Sequence, residues 1–222
     1  MTRTGAARRA GWLALAAASL LALLALWVVR APDHLLPADA GLHRWSVTHR
    51  PAPAATLSRA LTDTGTGFVP YVLLLVAGWY AGRTTRRGAR TAAALLLCLG
   101  AGQVVRYAVM TLVARPRPAV GDWAAHASGW SFPSGHTSTA AMTAGLLVAA
   151  LFLRGSRVPR TAVVLIGLWG AGVGLSRVYL GVHWFTDVLG GWLFATAWLA
   201  LLAHFYLRRP SAEGLGRGLT RG

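Results

Sequence analysis

Apolar residues run through this chain in six long blocks separated by polar breaks. The first covers 11–29, the second 68–81 and the third 91–113. The fourth begins directly after Pro133-Ser134-Gly135-His136 and ends at 153; the last two cover 161–180 and 184–207. Runs of about 20 apolar residues match the length a helix needs to cross a hydrocarbon layer about 30 Å thick. Helices suit that setting because they satisfy their own backbone hydrogen bonds. The pattern predicts an all-α, polytopic membrane protein, a six-transmembrane-helix bundle over 11–207. A short N-terminal tail occupies 1–10, and 208–222, rich in Gly and Arg, reads as a disordered basic tail. The first block exceeds the apolar core of a cleaved leader, about 7–15 residues, so it is expected to remain as a span. The stretch 31–67 is too polar to cross. Leu57, Ala60 and Leu61 fall there at helical spacing, which predicts a short interfacial helix.

Composition strengthens this reading. Hydrophobic residues make up 55% of the 222 positions and charged residues only 13%, well below the roughly 25% of a soluble domain. Soluble, disordered and disulfide-scaffold classes are excluded on that ground. All 22 basic residues are arginine, against 6 acidic ones, for a net charge of +16. The arginines do not gather into the single basic face that nucleic acid requires. They sit in short clusters between apolar blocks, and 14 of the 22 lie on the side that carries the N-terminus. These include Arg3, Arg8, Arg9, Arg83, Arg86, Arg87 and Arg90, then Arg154, Arg157 and Arg160, and finally Arg208, Arg209, Arg217 and Arg221. Asp33, Asp39, Asp63, Asp122 and Asp187 fall on the other side or at its edge. The positive-inside rule makes the arginine-rich side cytoplasmic. The expected location is the inner (plasma) membrane, with both termini cytoplasmic. Trp27, Phe68, Tyr71 and Trp184 mark the outer boundary; Trp12, Trp79, Tyr80, Phe205 and Tyr206 mark the inner one. Cys98 lies in an apolar run and has no internal disulfide partner. Gly170, Gly172 and Gly174 have no strand before them, so they read as close helix packing rather than a nucleotide loop.

Three polar clusters interrupt the apolar chain, and all three fall on the outer side. They are Arg115-Pro116-Arg117-Pro118, then Pro133 to His136, then Ser176-Arg177 through His183 to Asp187. Arg117 and Arg177 carry planar forks that match the oxygens of a phosphate. Ser134 and Gly135 open a helix, where free N–H groups and the dipole favour an anion. His183 and Asp187 are four apart and are expected on one helix face. There the carboxylate holds one imidazole nitrogen protonated and leaves the other free to attack. His136 supplies a second imidazole. The remaining histidines, His34, His43, His49, His126 and His204, read as solvated groups near the interface.

These blocks resemble the type-2 phosphatidic acid phosphatase superfamily, which includes bacterial undecaprenyl pyrophosphate phosphatases, glucose-6-phosphatase and vanadium haloperoxidases. That family's pattern is Lys, six residues, Arg-Pro; then Pro-Ser-Gly-His; then Ser-Arg, five residues, His, three residues, Asp. The second block matches at Pro133 to His136 and the third at Ser176, Arg177, His183 and Asp187. The resemblance covers about 57–207, with the motifs between 110 and 187. The first block departs: Arg117-Pro118 is present, but the family's Lys position holds Met110. Arg106 stands one helical turn earlier on the same face, and is expected to reach outward and supply the missing charge. The resemblance implies that His183 attacks phosphorus to form a phosphohistidine, Asp187 orients it, and His136 serves the leaving group and then water. It also implies that Arg117, Ser134, Gly135 and Arg177 bind the phosphate.

The expected function is hydrolysis of a lipid head group on the outer face. The candidate substrates are a polyprenyl pyrophosphate, phosphatidic acid or phosphatidylglycerol phosphate. No metal and no cofactor is expected, because no carboxylate pair or His/Cys set accompanies the motifs. Membrane lipids are the expected partners, nucleic acid is not, and nothing assigns an oligomeric state. The alternatives are a non-catalytic membrane protein that retains the pocket, or a transporter for an anion or lipid. A transporter would place ionisable residues along a path through the bilayer, whereas here only Arg106 lies deep. The haloperoxidase branch consists of soluble bundles, which six apolar blocks oppose.

Overall fold

The computed structural model describes residues 2–31, 33, 35–155 and 157–209; His34 and the stretch expected as a disordered tail from 210 onward lie outside them. The described residues form α1 (Arg3–Arg30), α2 (Pro37–Thr48), α3 (Ala52–Asp63), α4 (Val69–Ala81) and α5 (Thr85–Val113). A 3-10 turn at Val120–Asp122 precedes α6 (Gly135–Arg154), α7 (Arg160–Tyr179) and α8 (Phe185–Arg208). The chain is an all-α, multi-pass membrane protein. Five helices, α1, α5, α6, α7 and α8, are long and apolar enough to cross a bilayer. The remaining expected span, the second block at 68–81, is α4, with only 13 residues. That is about 20 Å of helix, well short of a full crossing. Five of the six expected spans are thus helices of crossing length, and the remaining one is a short apolar helix. Helix α1 starts at Arg3, two turns before its apolar block, where Thr2 caps it by accepting from the Gly5 amide.

Helix α8 packs between α1 and α6, and α4 lies against α5 and α6. The buried core between them holds Leu74, Leu99, Met142, Leu146 and Phe194. Leu23, Leu97, Leu112 and Leu165 point outward from their helices and are exposed, as a lipid-facing surface requires. Gly170, Gly172 and Gly174 of α7 serve close packing. A Cβ on Gly170 would lie 3.2 Å from the Ala144 side chain, and one on Gly174 3.0 Å from those of Thr137 and Val188.

The two ends of the bundle differ. At one end the start of α1 meets the end of α8, with Arg3 donating to the Tyr206 carbonyl. There too α6 ends beside α4, through the Arg154 bond to the Tyr80 carbonyl. The other end is capped by α2, α3 and the connections on either side of α6. The polar stretch was expected to hold one interfacial helix and holds two. Leu57 on α3 is exposed as that reading requires. The end of α3, however, turns down along α7: Leu61 sits over Gly172, and Trp169 donates to the Thr64 hydroxyl at 2.8 Å.

Candidate active site

Four helix ends converge beneath this cap: the C-termini of α5 and α7 and the N-termini of α6 and α8. Ala114 leaves α5 in the left-handed region, at φ 47°, and so turns the chain sharply into Arg115. Ser134 caps α6, its hydroxyl accepting from Thr137 Oγ1 at 2.9 Å. The Ser134 amide donates to the Asp187 carbonyl at 3.0 Å, which ties the start of α6 to the start of α8. Gly191 permits that approach, since a Cβ there would sit 2.8 Å from Thr137 Cβ.

His183 and Asp187 meet as expected, but not on a helix face. Helix α8 begins at Phe185 with Trp184 as its N-cap, so His183 precedes it. Asp187 is the third residue of the helix and accepts from the Trp184 amide at 2.9 Å. This is the usual use of an acidic side chain in a first helical turn. The same oxygen, Oδ2, accepts from His183 Nδ1 at 3.2 Å. Capping geometry, rather than helical periodicity, orients the imidazole.

Two residues outside the expected site complete this arrangement. Arg115 donates to Asp187 Oδ1 at 2.6 Å, to Thr186 Oγ1 at 2.7 Å and to Asp39 Oδ2 at 2.6 Å. Arg115, Asp39 and Asp187 are all 0% exposed. Asp39 also accepts from the Thr186 amide and hydroxyl and from the Leu36 amide. A chain of ionised groups thus runs from α2 through Arg115 to the carboxylate behind His183. The sequence held one signal for Asp39: Pro37 followed two residues later by an acid marks a helix start.

The other face of His183 meets Arg117, whose Nη1 donates to His183 Nε2 at 2.9 Å. The same guanidinium donates to the carbonyls of Ser128, Gly129, Trp130 and Val182. Arg177 is buried and donates weakly to Thr62 Oγ1 and the His126 carbonyl, while its Nε has no partner. His136, in the first turn of α6, lies within electrostatic range of Arg177, His183, Arg117 and Arg106. Arg106 lies against the same turn: a Cβ on Gly135 would be 3.7 Å from its guanidinium carbon. Its Nη1 donates to the Met110 sulfur at 3.3 Å, and its Nε is buried without a partner. The structure therefore brings all eight sequence-predicted residues to one end of the bundle.

Burial is the first cause that holds the His183 imidazole well below its ordinary range; the charges of Arg117, Arg177 and Arg115 add to it. Burial likewise lowers the Arg117 guanidinium, with the Asp187 carboxylate opposing and Arg106 reinforcing. A neutral imidazole with its Nδ1 proton held by a carboxylate presents a lone pair at Nε2. Surrounded by guanidinium groups, that lone pair can attack an anionic, electrophilic centre such as phosphorus. Among the described residues no three His, Cys, Asp or Glu side chains gather as a metal set. Among the described residues, His43 and His204 differ from their expected solvated role; His204 is half-buried, its Nδ1 2.8 Å from the Ala7 carbonyl oxygen. His43 is buried, and its Nε2 lies 2.9 Å from Asp122 Oδ2, with the ring tilted against Trp184.

Comparisons with known proteins agree with this geometry. Residues 91–211, more than half of the chain, match the PAP2 superfamily. Phosphatidylglycerophosphatase B of Bacillus subtilis is 37% identical over 130 residues, which cover 55% of this chain and 60% of that protein. Undecaprenyl-diphosphatase BcrC of Bacillus subtilis is 33% identical over 57% of this chain and 63% of its own length. Lipid A 1-phosphatase of Rhizobium johnstonii is 28% identical over 72% of this chain and 70% of its own. The alignments with the two Bacillus proteins thus span less than two thirds of those relatives. The crystal structure of a transmembrane PAP2-type phosphatidylglycerolphosphate phosphatase from Bacillus subtilis superposes with a TM-score of 0.70 at 27% identity. It covers 95% of this chain and 98% of that one. The matched region holds every motif block gathered at the converging helix ends, and the chain belongs to the PAP2 superfamily.

Proposed function

We propose that the protein is a membrane lipid phosphatase that removes a phosphate from a phosphomonoester or pyrophosphate head group. The observation that carries this is His183: Nδ1 is held by Asp187, and Nε2 is turned toward the Arg117 fork. Nε2 of His183 forms a bond to phosphorus as the bond to the lipid oxygen breaks, and His136 protonates that oxygen. His136 then takes a proton from water, whose oxygen displaces the imidazole and releases inorganic phosphate. Asp187 stabilises the imidazolium that develops on the way. Arg117, Arg177, Ser134 and the Gly135 amide bind the equatorial oxygens, exchanging their present partners for them. Arg106 fills the role of the lysine that Met110 replaces; its place beside Gly135 and its unpartnered Nε support this.

The substrate is a lipid whose phosphate or diphosphate stands at the bundle's capped end. The names of the relatives share that chemistry while differing in the lipid. Helix α4 acts as a sixth crossing. The end of α3 descends along α7 to Trp169, eight residues or about 12 Å below Arg177, so α4 has only the remaining depth to traverse. Both termini are then cytoplasmic and the site faces outward, with acidic residues on the outer side.

A phosphate-release panel in detergent tests the reading, comparing polyprenyl pyrophosphate, phosphatidic acid and a short water-soluble phosphate. Release from a lipid substrate, lost in His183→Ala and unaffected by EDTA, is the expected result. Release that persists in His183→Ala overturns the mechanism. Arg106→Leu is expected to lower release at least tenfold in a folded protein, and unchanged release removes Arg106 from the site.

A further inference from the structure

At the end of the bundle away from this site, the turn between α4 and α5 meets the ends of α6 and α8 around a cavity of about 530 Å³. Arg83, Arg87, Arg90, Thr91, Leu153 and Tyr206 line it. Three guanidinium groups in one cavity call for a counter-charge, and the described residues supply none there. Their acidic side chains, Asp33, Asp39, Asp63, Asp122 and Asp187, all belong to the opposite end. Arg83 sits in the left-handed region at φ 60°, and its guanidinium is tied to the Arg154 carbonyl. Arg154 in turn stacks over Tyr80 at 4.8 Å. The side chains of Arg87 and Arg90 make no hydrogen bond or ion pair among the described residues. Standing three apart on α5, they share one face and offer two uncommitted forks. The amides of this first turn are partly satisfied already, since Thr84 accepts from Arg87 and Gly88. The side chains rather than the helix end are the free donors.

We infer that this cavity binds the phosphate headgroup of an anionic membrane lipid, with Arg87 and Arg90 as the fork and Arg83 as a further charge. Basic pockets between helix ends at a membrane surface suit that ligand. The volume lies within the range of ordinary ligand sites. A lipid fits better than a free anion because the wall is partly apolar and opens beside exposed aromatic residues. Leu153 and Tyr206 line the cavity, and exposed Trp79 and Tyr80 stand beside it, against Gly88 and Arg154. A tail anchored there lies along the lipid-facing surface while its phosphate enters the cavity. The site is separate from the catalytic end and stands whether or not the phosphatase mechanism does.

The test is native mass spectrometry of the full chain in detergent with phosphatidylglycerol, whose phosphodiester is not a phosphomonoester substrate. Phosphatidylcholine and inorganic phosphate serve as comparison arms. The wild type is expected to retain one phosphatidylglycerol and little phosphatidylcholine. Arg87→Gln/Arg90→Gln is expected to weaken that retention at least tenfold, with its lipid-free thermal midpoint unchanged. Leu153→Trp fills the same cavity without altering charge and is expected to lower retention too, so the inference survives a misfolded double variant. Equal retention in these variants, or of phosphatidylcholine, overturns it. Displacement of the lipid by millimolar inorganic phosphate assigns the cavity to a soluble anion and overturns the lipid reading as well.

Discussion

A guanidinium with no exposed surface needs carboxylates at bonding distance, because desolvating a lone charge costs several kcal/mol. Arg115 meets that need with Asp39 and Asp187, at 2.6 Å each. Asp39→Asn leaves the shape and removes one charge, so it is expected to cost about 3–5 kcal/mol of stability. It is also expected to lower phosphate release, because Arg115 then pulls unevenly on the carboxylate that orients His183. Thermal unfolding in detergent and phosphate release measure the two effects separately. A variant of full stability and full activity would show that Asp39 positions nothing. His183 yields a pH prediction. Its lowered affinity for protons keeps the proposed nucleophile neutral below the usual histidine range. The acid limb of kcat/KM attributable to His183 is therefore expected well below pH 6.5, about the value for an unperturbed histidine. A half-maximum at that ordinary value, abolished with His183, contradicts it. The stability consequence has a definite sign. The unfolded chain binds this proton near pH 6.5 and the folded chain does not, so stability falls as pH drops below that value. The sequence made both imidazoles, the carboxylate and the guanidinium groups legible as residue types in order. It hid Asp39, because a lone acid in a polar stretch carries no spacing relation to the motifs it supports.

At the level of elements, the site is made from helix termini, and their capping decides where each side chain stands. Asp39 and Asp187 are each the third residue of a helix, α2 and α8, and each accepts from its N-cap amide. One arginine joins both carboxylates, so the starts of two helices are locked to the turn after α5. A spacing of four between His183 and Asp187 suggested a shared helix face, and a helix start beginning between them produces the same contact by another route. The helix boundaries themselves were legible for the apolar blocks, where Ser134 and the arginines punctuate the pattern. Helix α2 was not, since its Ala, Gly and polar residues give no apolar stripe and only its start signal marks it. Packing of α7 on its neighbours gives the prediction at this scale. A Cβ on Gly174 would meet Thr137 and Val188 at 3.0 Å and Trp192 at 3.1 Å. Gly174→Val is expected to cost about 1–3 kcal/mol by overpacking. Because Thr137 belongs to the first turn of α6, the same variant is expected to reduce phosphate release by displacing His136. Gly167→Val makes the control, as a side chain there meets nothing within 4 Å. Equal effects at the two positions would remove the packing argument.

For the whole molecule, the distribution of charge and the fold make one joint claim about orientation. The acidic side chains of the described residues gather at the capped end with the site, while Arg83, Arg87, Arg90 and Arg154 crowd the other. The proposed orientation puts the arginine end in the cytoplasm, because basic loops resist translocation. The all-α, multi-pass architecture and the difference in charge between the two ends were readable from the apolar blocks and arginine clusters. The second block, 68–81, was legible at its true length; the descent of α3 along α7 was not, because the polar stretch before it carries no span-length pattern. Orientation is testable through the lone cysteine. In a Cys98→Ser background, Gly121→Cys places a thiol on the exposed turn after α5, where a new side chain meets nothing within 4 Å. Arg86→Cys places one at the exposed start of α5. A membrane-impermeant maleimide added to intact cells is expected to label Gly121→Cys, and to label Arg86→Cys only after permeabilisation. The reverse pattern turns the site toward the cytoplasm. Labelling of both in intact cells would mean that the two ends of α5 share one face of the membrane. The crossing by α5, on which the separation of the candidate active site from the arginine cavity depends, would then be lost.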